Sequence, residues 1–230
     1  MDDAPISAEA LEYAKAHKRQ IVEKYLSGVP KAKIPTSIFM AGSPGAGKTE
    51  VSKRLLKGLD SFGKRFARID ADELRAECPG YNGGNAHLFQ KAATFLVHEI
   101  HSKALKSGVN FILDGTFSNF VIQSQNIERS LKRGRNVAVL YVYQTTEVAW
   151  QFVQTRQKTE GRSVPKTEFL RKSKESVNVT NAIKAHFGAQ IRLHLIVKDD
   201  YGNDKLRFTN IDSLDNHLEK AYNEHELKES

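Results

Sequence analysis

A glycine-rich segment that ends in a lysine and a threonine has the residue types and spacing of a phosphate-binding loop. It follows the pattern G-x-x-x-x-G-K-[ST] through Gly42, Ser43, Pro44, Gly45, Ala46, Gly47, Lys48 and Thr49. Glycines let the backbone of such a loop turn its N–H groups toward phosphate oxygens. Lys48 would add a full positive charge there, and the hydroxyl of Thr49 is a ligand that suits Mg²⁺. The segment therefore predicts a site for a nucleotide with Mg²⁺.

The sequence on either side of this loop supports that prediction. An apolar run over 34–41 precedes the loop and suits a buried parallel strand. After the loop, Val51, Leu55 and Leu59 recur at helical spacing. Strand, loop and helix in this order place the loop amides at a helix N-terminus, where partial positive charge favours an anion. Because the sequence has no Asn-Lys-x-Asp guanine motif, we expect ATP rather than GTP.

Two aspartates follow the second predicted strand. Asp70 and Asp72 stand at its carboxyl end, where they would face the same crevice as the phosphate loop. In a phosphoryl-transfer enzyme, a carboxylate at this place accepts the proton of the attacking hydroxyl. The alternative is that one aspartate only caps the helix that follows, and both roles can hold with one residue each. We assign the base to Asp72.

The third predicted strand also ends on an acid, Asp114. An apolar strand that closes on a carboxylate is typical of a Walker B element, which reaches the Mg²⁺ shell directly or through water. The alternative is an acid that only organises the neighbouring loop. We predict Asp114, together with Thr49, as the metal-site residues.

Two arginines flank a short polar segment after the fourth predicted strand. Arg156 and Arg162 lie on either side of a stretch that contains glycine and precedes Pro165. A small lid that closes over ATP and brings guanidinium groups to the transferring phosphoryl group has this composition. An ordinary surface loop with two arginines is the alternative.

Apolar and amphipathic segments alternate along the chain, as in a parallel sheet covered by helices. Strands are predicted over 34–41, 65–69, 109–114, 136–143 and 191–198. Helices are predicted over 8–27, 48–59, 72–78, 86–107, 119–133, 145–158, 166–185 and 212–222. We therefore expect an α/β fold, a P-loop kinase-like parallel sheet of about five strands with helices on both faces. An N-terminal helix and a small hairpin-like C-terminal addition would complete it.

The domain prediction follows from this order of elements. Residues 1–30 would form an N-terminal helical extension, and residues 31–230 a P-loop kinase domain with a mobile lid near 156–166.

Composition narrows the class of protein and of partner. No stretch approaches the roughly 18 apolar residues of a membrane span, so we expect no membrane contact. Cys78 is the sole cysteine and cannot form an internal disulfide, which favours the cytoplasm. The net charge of +8 suggests an anionic partner, which could be a nucleotide, a phosphorylated small molecule, nucleic acid or an acidic protein. The basic cluster at 132–135 is more typical of a helix C-terminus than of a nucleic-acid surface, since no aromatic residues interleave it.

With these pieces in order, the chain resembles the zeta toxins, P-loop kinases of bacterial toxin–antitoxin systems. The resemblance rests on residues 41–49, 69–74 and 108–116 and on the two arginines before residues 163–166, and it covers roughly residues 34–185. It implies phosphorylation of a UDP-N-acetyl amino sugar at its 3′-hydroxyl, which would stop peptidoglycan synthesis. It also implies a separately encoded antitoxin that blocks the ATP site.

The resemblance carries roles onto individual residues. It implies that Lys48 and Thr49 bind ATP and Mg²⁺, that Asp72 is the base, and that Arg156 and Arg162 contact the γ-phosphate and the transition state. Asp114 stands where the family has a glutamate. Contacts with the sugar nucleotide are implied for Asp70, Glu99 and Thr116, with His98 as a competitor for the position of Glu99. The family also has a basic residue shortly after the Gly-Thr pair, whereas this chain has Phe-Ser-Asn at 117–119.

Two other functions fit the same loop. One is a polynucleotide or other metabolite kinase, which the basic charge keeps open. The other is a nucleotide-binding switch without catalysis, which would not need a base at Asp72.

Overall fold

The computed structural model describes residues 3–161 and 164–218, apart from the side chain of Glu160. Strands and helices alternate through these ranges. The strands are β1 (Thr36–Ala41), β2 (Ala67–Asp70), β3 (Phe111–Asp114), β4 (Asn136–Tyr143), β5 (Arg192–Lys198) and β6 (Asp204–Phe208). The α-helices are α1 (Asp3–Leu26), α2 (Lys48–Ser61), α3 (Ala71–Arg75), α4 (Gln90–Ser107), α5 (Phe120–Leu131), α6 (Thr146–Glu160) and α7 (Lys166–Phe187).

These strands form one sheet in the order β2-β3-β1-β4-β5-β6. The first five run parallel, and β6 pairs antiparallel with β5. The predicted α/β fold with a mostly parallel sheet is confirmed. The sheet has one strand more than the five predicted, because the expected C-terminal hairpin adds β6 beside β5. We call the edge at which the parallel strands end the carboxyl edge, and the opposite edge the amino edge.

Side chains alternate along the strands between two layers of helices. On one face, Phe39 and Ile69 belong to the main core with residues of α1, α4, α5 and α7. On the other face, Met40 and Val142 pack with Val51 of α2. Helices therefore cover both faces of the parallel strands, as predicted. The α2 layer is narrower, and an apolar groove of about 520 Å³ lies between α2 and strands β4 to β6.

The N-terminal helix α1 lies along α4. Its buried residues Ala10, Ala14 and Ile21 join the same core as the sheet. The predicted boundary between an N-terminal extension and the kinase domain at residue 30 stays a prediction. No helix in the part of the chain described is long and apolar enough to cross a membrane.

The predicted helices differ from the observed ones mainly around α3 and α4. α3 ends at Arg75 rather than at residue 78, because Pro79 disfavours a helical residue before it and Gly80 has φ 83°. Turns, bends and irregular backbone occupy residues 76–89, so α4 begins at Gln90 rather than at residue 86. Of the helix predicted near 212–222, the described part holds a turn over 215–217, and residues 219–222 lie outside the described ranges.

Candidate active site

The glycine-rich loop lies between β1 and α2, as the strand–loop–helix pattern predicted. Gly42 has φ 137°, and a Cβ there would lie 2.3 Å from the carbonyl oxygen of Val142. Gly45 has φ 78°, and its Cβ would lie 2.1 Å from the carbonyl oxygen of Ala149. No other residue fits at either position, because the backbone of the loop touches the end of β4 and the helix α6 directly. The loop is thus held in place from the side opposite α2.

Lys48 opens α2 and turns back over the loop. Its Nζ donates to the carbonyl oxygens of Gly42, at 2.9 Å, and Ser43, at 2.6 Å. Burial lowers the pKa of the Lys48 ammonium to about 8, although the carboxylates of Asp114 and Asp72 act in the opposite direction. Polyphosphate oxygens beside Nζ would favour its charged form, so the site is suited to an anion.

A buried arginine that the sequence reasoning missed connects the acids after β2 and β3. Arg68 on β2 donates through Nη2 to Oδ2 of Asp70, at 2.5 Å, and to Oδ2 of Asp114, at 2.6 Å. Its Nε donates to Oγ of Ser52, at 2.8 Å, and its Nη1 lies 2.5 Å from Oε1 of Glu73. Ser52 Oγ is also 2.9 Å from Oδ2 of Asp114. The only sequence signals were a polar residue within an apolar strand and a serine on the inner face of α2.

Asp70 is engaged inside this network. Besides Arg68 at Oδ2, it accepts the N–H of Asp72 at Oδ1, 2.8 Å away, and so caps α3. Burial raises the pKa of Asp70 to about 6, and the nearby carboxylates of Asp114 and Asp72 add to the rise. The capping role that we considered for one of the two aspartates belongs to Asp70. Its contact with a substrate stays a prediction.

Asp72 lies nearer to solvent, between two arginines. Its Oδ1 accepts from Nη1 of Arg75 at 2.5 Å, and its Oδ2 is 3.6 Å from Nη2 of Arg156 on α6. Arg75 in turn donates to Oε1 of Gln90 at the start of α4. Asp72 and Arg156 both contribute to the electrostatic surroundings of Lys48. The structure therefore brings the predicted base, the loop lysine and one predicted arginine to the same crevice.

The segment after β3 is tied to the glycine-rich loop. The carbonyl oxygen of Thr116 accepts from Oγ of Ser176 at 2.7 Å, and the same Oγ accepts from the N–H of Gly42 at 3.0 Å. Phe117 follows with φ 60°, a strained value for an aromatic residue, and its ring packs 6.4 Å from that of Phe39. Strain of this kind is often stored at functional sites. Thr116 is thus fixed beside the loop, and its contact with a sugar nucleotide stays a prediction.

One predicted residue, Glu99, is not brought to this crevice. Glu99 lies 3.7 Å from Nζ of Lys18 on α1 and 3.4 Å from Nδ1 of His98. It is nine residues from Gln90, which corresponds to about 13.5 Å along α4 and to its opposite side. Arg162 lies outside the described residues. Gly161, at the end of α6, lies against the turn after α3. A Cβ built on Gly161 would be 3.2 Å from the backbone nitrogen of Gly84.

The donor set fits ATP and Mg²⁺. The loop amides at the start of α2 can surround phosphate oxygens, because they lie at a helix N-terminus, where partial positive charge favours an anion. Thr49 stands in the first turn of α2, and Ser52 Oγ links its carbonyl oxygen, 3.0 Å away, to Asp114. Ser52 and Arg68 both donate to Oδ2 of Asp114. Its Oδ1 is therefore the oxygen that suits a metal-bound water. Among the described residues, no group of three or more His, Cys, Asp or Glu side chains forms a metal site of its own.

Comparison with known proteins gives one family and several structural neighbours. The sequence model described as "Zeta toxin" matches residues 20–210. A structure from work on the PezAT chromosomal toxin–antitoxin system of Streptococcus pneumoniae is 17% identical with a TM-score of 0.63, over 84% of this chain and 79% of that chain. The complex of AvrRxo1-ORF1 and AvrRxo1-ORF2 with ATP is 14% identical with a TM-score of 0.60, over 89% of this chain and 65% of that chain. At these identities the two structures show a shared fold. No curated protein sequence matches the chain.

Proposed function

The chain belongs to the zeta toxin family, and we propose that it is an ATP-dependent kinase that phosphorylates a hydroxyl of a UDP-N-acetyl amino sugar. By consuming this cell-wall precursor it would act as a toxin. Family membership and the kinase-like fold support phosphoryl transfer. The ATP complex of the AvrRxo1 neighbour supports nucleotide binding.

The observation that carries the proposal is the position of Asp72. Its carboxylate lies at the carboxyl edge, 3.6 Å from the guanidinium of Arg156 and among the charges that surround Lys48. A hydroxyl placed between Asp72 and the terminal phosphate would give its proton to Asp72 as its oxygen forms the bond to phosphorus and ADP leaves. A nucleotide-binding switch would have no use for a base at this place.

Cationic side chains stabilise the charge that develops on the transferred group. Lys48 would contact the β- and γ-phosphates, and Arg156, and Arg162 as predicted, would contact the equatorial oxygens of the transferring phosphoryl group. Thr49, through its hydroxyl, and Asp114, through water, would hold Mg²⁺, whose charge would offset further phosphate charge. Arg156 also lies 3.6 Å from Asp72, so its charge would act on both the base and the transferring group.

The sugar-nucleotide acceptor rests on the family resemblance. Thr116, Ser118 and Asn119 follow β3 and are the residues that we expect to contact the acceptor, whereas Phe117 is buried against Phe39. The basic charge had kept a polynucleotide acceptor open, but the basic cluster at 132–135 is partly buried and gives it less support. Arg135, one of the four residues of the cluster at 132–135, is 4% exposed and donates to Oγ of Ser37 inside the fold.

The test is a transfer assay with a panel of acceptors. The full chain would be incubated with Mg-ATP and UDP-N-acetylglucosamine, other UDP-sugars, nucleosides or short oligonucleotides, and mass gains of one phosphate would be recorded. We expect phosphorylation of a UDP-N-acetyl amino sugar. Phosphorylation of oligonucleotides alone would replace the acceptor, and no transfer to any of them would contradict the proposal.

A separately encoded antitoxin is the proposed partner. The support comes from the pneumococcal neighbour, since PezAT is a toxin–antitoxin system. We expect expression of the chain to arrest bacterial growth in a way that depends on Lys48. Equal arrest by a Lys48→Ala variant would separate toxicity from phosphoryl transfer.

A further inference from the structure

The direction of phosphoryl transfer fixes where the rest of the nucleotide must lie. Asp72, the proposed base, and Thr116, expected at the acceptor, follow β2 and β3, on one side of β1 and its loop. In an in-line displacement, the leaving diphosphate stands opposite the attacking oxygen. The nucleoside must therefore extend away from Asp72, toward the ends of β4 and β5.

The turn between β5 and β6 reaches the phosphate loop on that side. Lys198, the last residue of β5, places its Cε 3.5 Å from where a Cβ on Gly47 would lie. Its Nζ donates to the carbonyl oxygen of Gly202 at 2.8 Å and lies 3.0 Å from Oδ1 of Asp204. The turn is thus fastened beside the start of α2.

Internal hydrogen bonds make this turn rigid. Oδ1 of Asp199 accepts from the backbone N–H groups of Tyr201, at 3.0 Å, and Asn203, at 2.7 Å. The carbonyl oxygen of Asp199 accepts from Nε2 of the buried Gln144, at 2.8 Å, at the end of β4. The turn therefore presents its tip in a defined position.

Two aromatic side chains are exposed where this tip meets α6. Tyr201 is 88% exposed, and Phe152 of α6 is 39% exposed. A Cβ on Gly202 would lie 3.5 Å from Cζ of Phe152, so the tip of the turn packs against that ring. Exposed aromatic rings beside a phosphate-binding loop offer faces on which a base can stack.

One face of α6 connects this position with the reacting centre. Ala149 touches the loop at Gly45, and Arg156 approaches Asp72. Phe152 is four residues before Arg156 and three after Ala149, so the three side chains share a face of the helix. A nucleotide lying along this face would have its terminal phosphate at Arg156 and its base toward Phe152.

We propose that Phe152 and Tyr201 form the base-binding part of the nucleotide site and select a purine by stacking. This inference rests on the proposed kinase function and adds which part of the chain reads the base. Stacking distinguishes large from small bases and does not read the edge of the ring. Stacking on these rings would therefore favour ATP over CTP.

The experiment is calorimetric binding of Mg-ATP and of inorganic tripolyphosphate to the full chain and its variants. Phe152→Leu keeps an apolar contact with Gly202 and removes the aromatic face, Tyr201→Ala removes the second ring, and Phe62→Leu, at the exposed end of α2, is the matched control. We expect Phe152→Leu and Tyr201→Ala each to raise the Kd of ATP about tenfold. The Kd of tripolyphosphate, which has no base, should not change, and Phe62→Leu should change neither value.

Two results would overturn the base subsite. One is an unchanged Kd of ATP in both aromatic variants, and the other is an equal loss of tripolyphosphate affinity, which would indicate a general disturbance of the loop. Failure of the proposed function would give a different result. The wild-type chain would then bind ATP with the predicted dependence on Phe152 but transfer phosphate to no acceptor.

Discussion

Two arginines are buried at opposite edges of the same sheet, and their surroundings differ in kind. At the carboxyl edge, Arg68 donates to the carboxylates of Asp70 and Asp114. At the amino edge, Arg135 stands just before β4 and donates to uncharged oxygens: Oγ of Ser37, at 2.6 Å, and the backbone carbonyls of Thr36, at 3.0 Å, and Val109, at 2.6 Å. It also lies over the ring of Phe111, 4.8 Å from its centre.

The pKa values of the two guanidinium groups follow from these neighbours. Burial opposes the charge of Arg68, but the carboxylates of Asp70 and Asp114 outweigh it and raise the pKa of Arg68. Burial lowers the pKa of Arg135 to about 10, and the charge of Arg133 adds to this. A buried arginine among acids thus organises the crevice at the carboxyl edge, whereas one among carbonyl oxygens holds strand ends together. Substitutions at the two edges can test this division between chemistry and fold.

The largest effect is expected from Lys48→Ala at the carboxyl edge. The lysine offsets phosphate charge in the transition state, so kcat/KM for transfer should fall by about a thousandfold or more. The unfolding midpoint should change little, because the side chain bonds only to loop carbonyls. Lys57→Ala, on the exposed side of α2, is the control and should retain full activity. Comparable transfer rates in the two variants would remove Lys48 from the site.

Arg68→Met should combine loss of stability with loss of activity. The substitution leaves Asp70 and Asp114 buried side by side without their cation, so the free energy of unfolding at pH 7 should fall by about 3–5 kcal/mol. Transfer should slow as well, because Asp70 also fixes the helix that carries Asp72. Chemical denaturation and steady-state kinetics measure the two effects. Arg68→Lys, which keeps the charge, should recover part of both; a fully active and stable methionine variant would contradict this role.

Arg135→Met is the matched substitution at the amino edge. It removes three hydrogen bonds, but it also removes the cost of burying a charge. We therefore expect a smaller loss, of about 2 kcal/mol, in the free energy of unfolding. The values of kcat and KM should match those of the wild type at a temperature where both are folded. A fall in kcat as large as that of Arg68→Met would erase the contrast between the two edges.

The smallest effect concerns His101, which packs its ring edge-on against Phe111 at a centroid distance of 5.0 Å. Burial, with the charges of Arg129 and Arg135, lowers the pKa of His101 from 6.5 to about 3. Below pH 6.5, His101 therefore binds a proton in the unfolded chain but not in the native protein. Stability is lost as the pH falls from 6.5 toward 3. Between pH 6.5 and 5 this loss is roughly 1.5 kcal/mol.

The measurement for His101 is a difference between two proteins. The free energy of unfolding would be followed against pH for the wild type and for His101→Leu. The raised pKa of Asp70 acts in the opposite direction between about pH 6 and 3.8, but it is common to both proteins and cancels. The wild type should lose more stability on acidification than the variant. Parallel curves would show that His101 titrates normally.

Much of the fold could be predicted from the sequence, because local signals agreed with the long-range arrangement. The apolar run before the glycine-rich loop and the helical spacing after it determined β1 and α2. Pro79 and Gly80 shortened α3, since turn chemistry overrode the helical pattern there. The pairing of β6 with β5 could be predicted only as a hairpin, because its alternation is weak.

The site was less predictable, because its contacts are made by residues far apart in the sequence. Arg68 reaches Asp114 from 46 positions away, and Ser176 reaches Gly42 from 134 positions away. Spacing alone cannot show that a polar residue in a strand points at an acid on the next strand. Glu99 is a second example, because its residue type and its place on a long helix do not reveal its contact with Lys18 of α1.

The most direct test of the central claim is the transfer rate of Asp72→Asn with Mg-ATP and UDP-N-acetylglucosamine. Asparagine keeps the size of the side chain and a bond to Arg75 but cannot accept the proton. We predict that kcat falls by about 10²–10⁴-fold while the KM for ATP and the unfolding midpoint stay at wild-type values. A variant that retained most of its turnover would show that Asp72 is not the base and would contradict this account of the crevice.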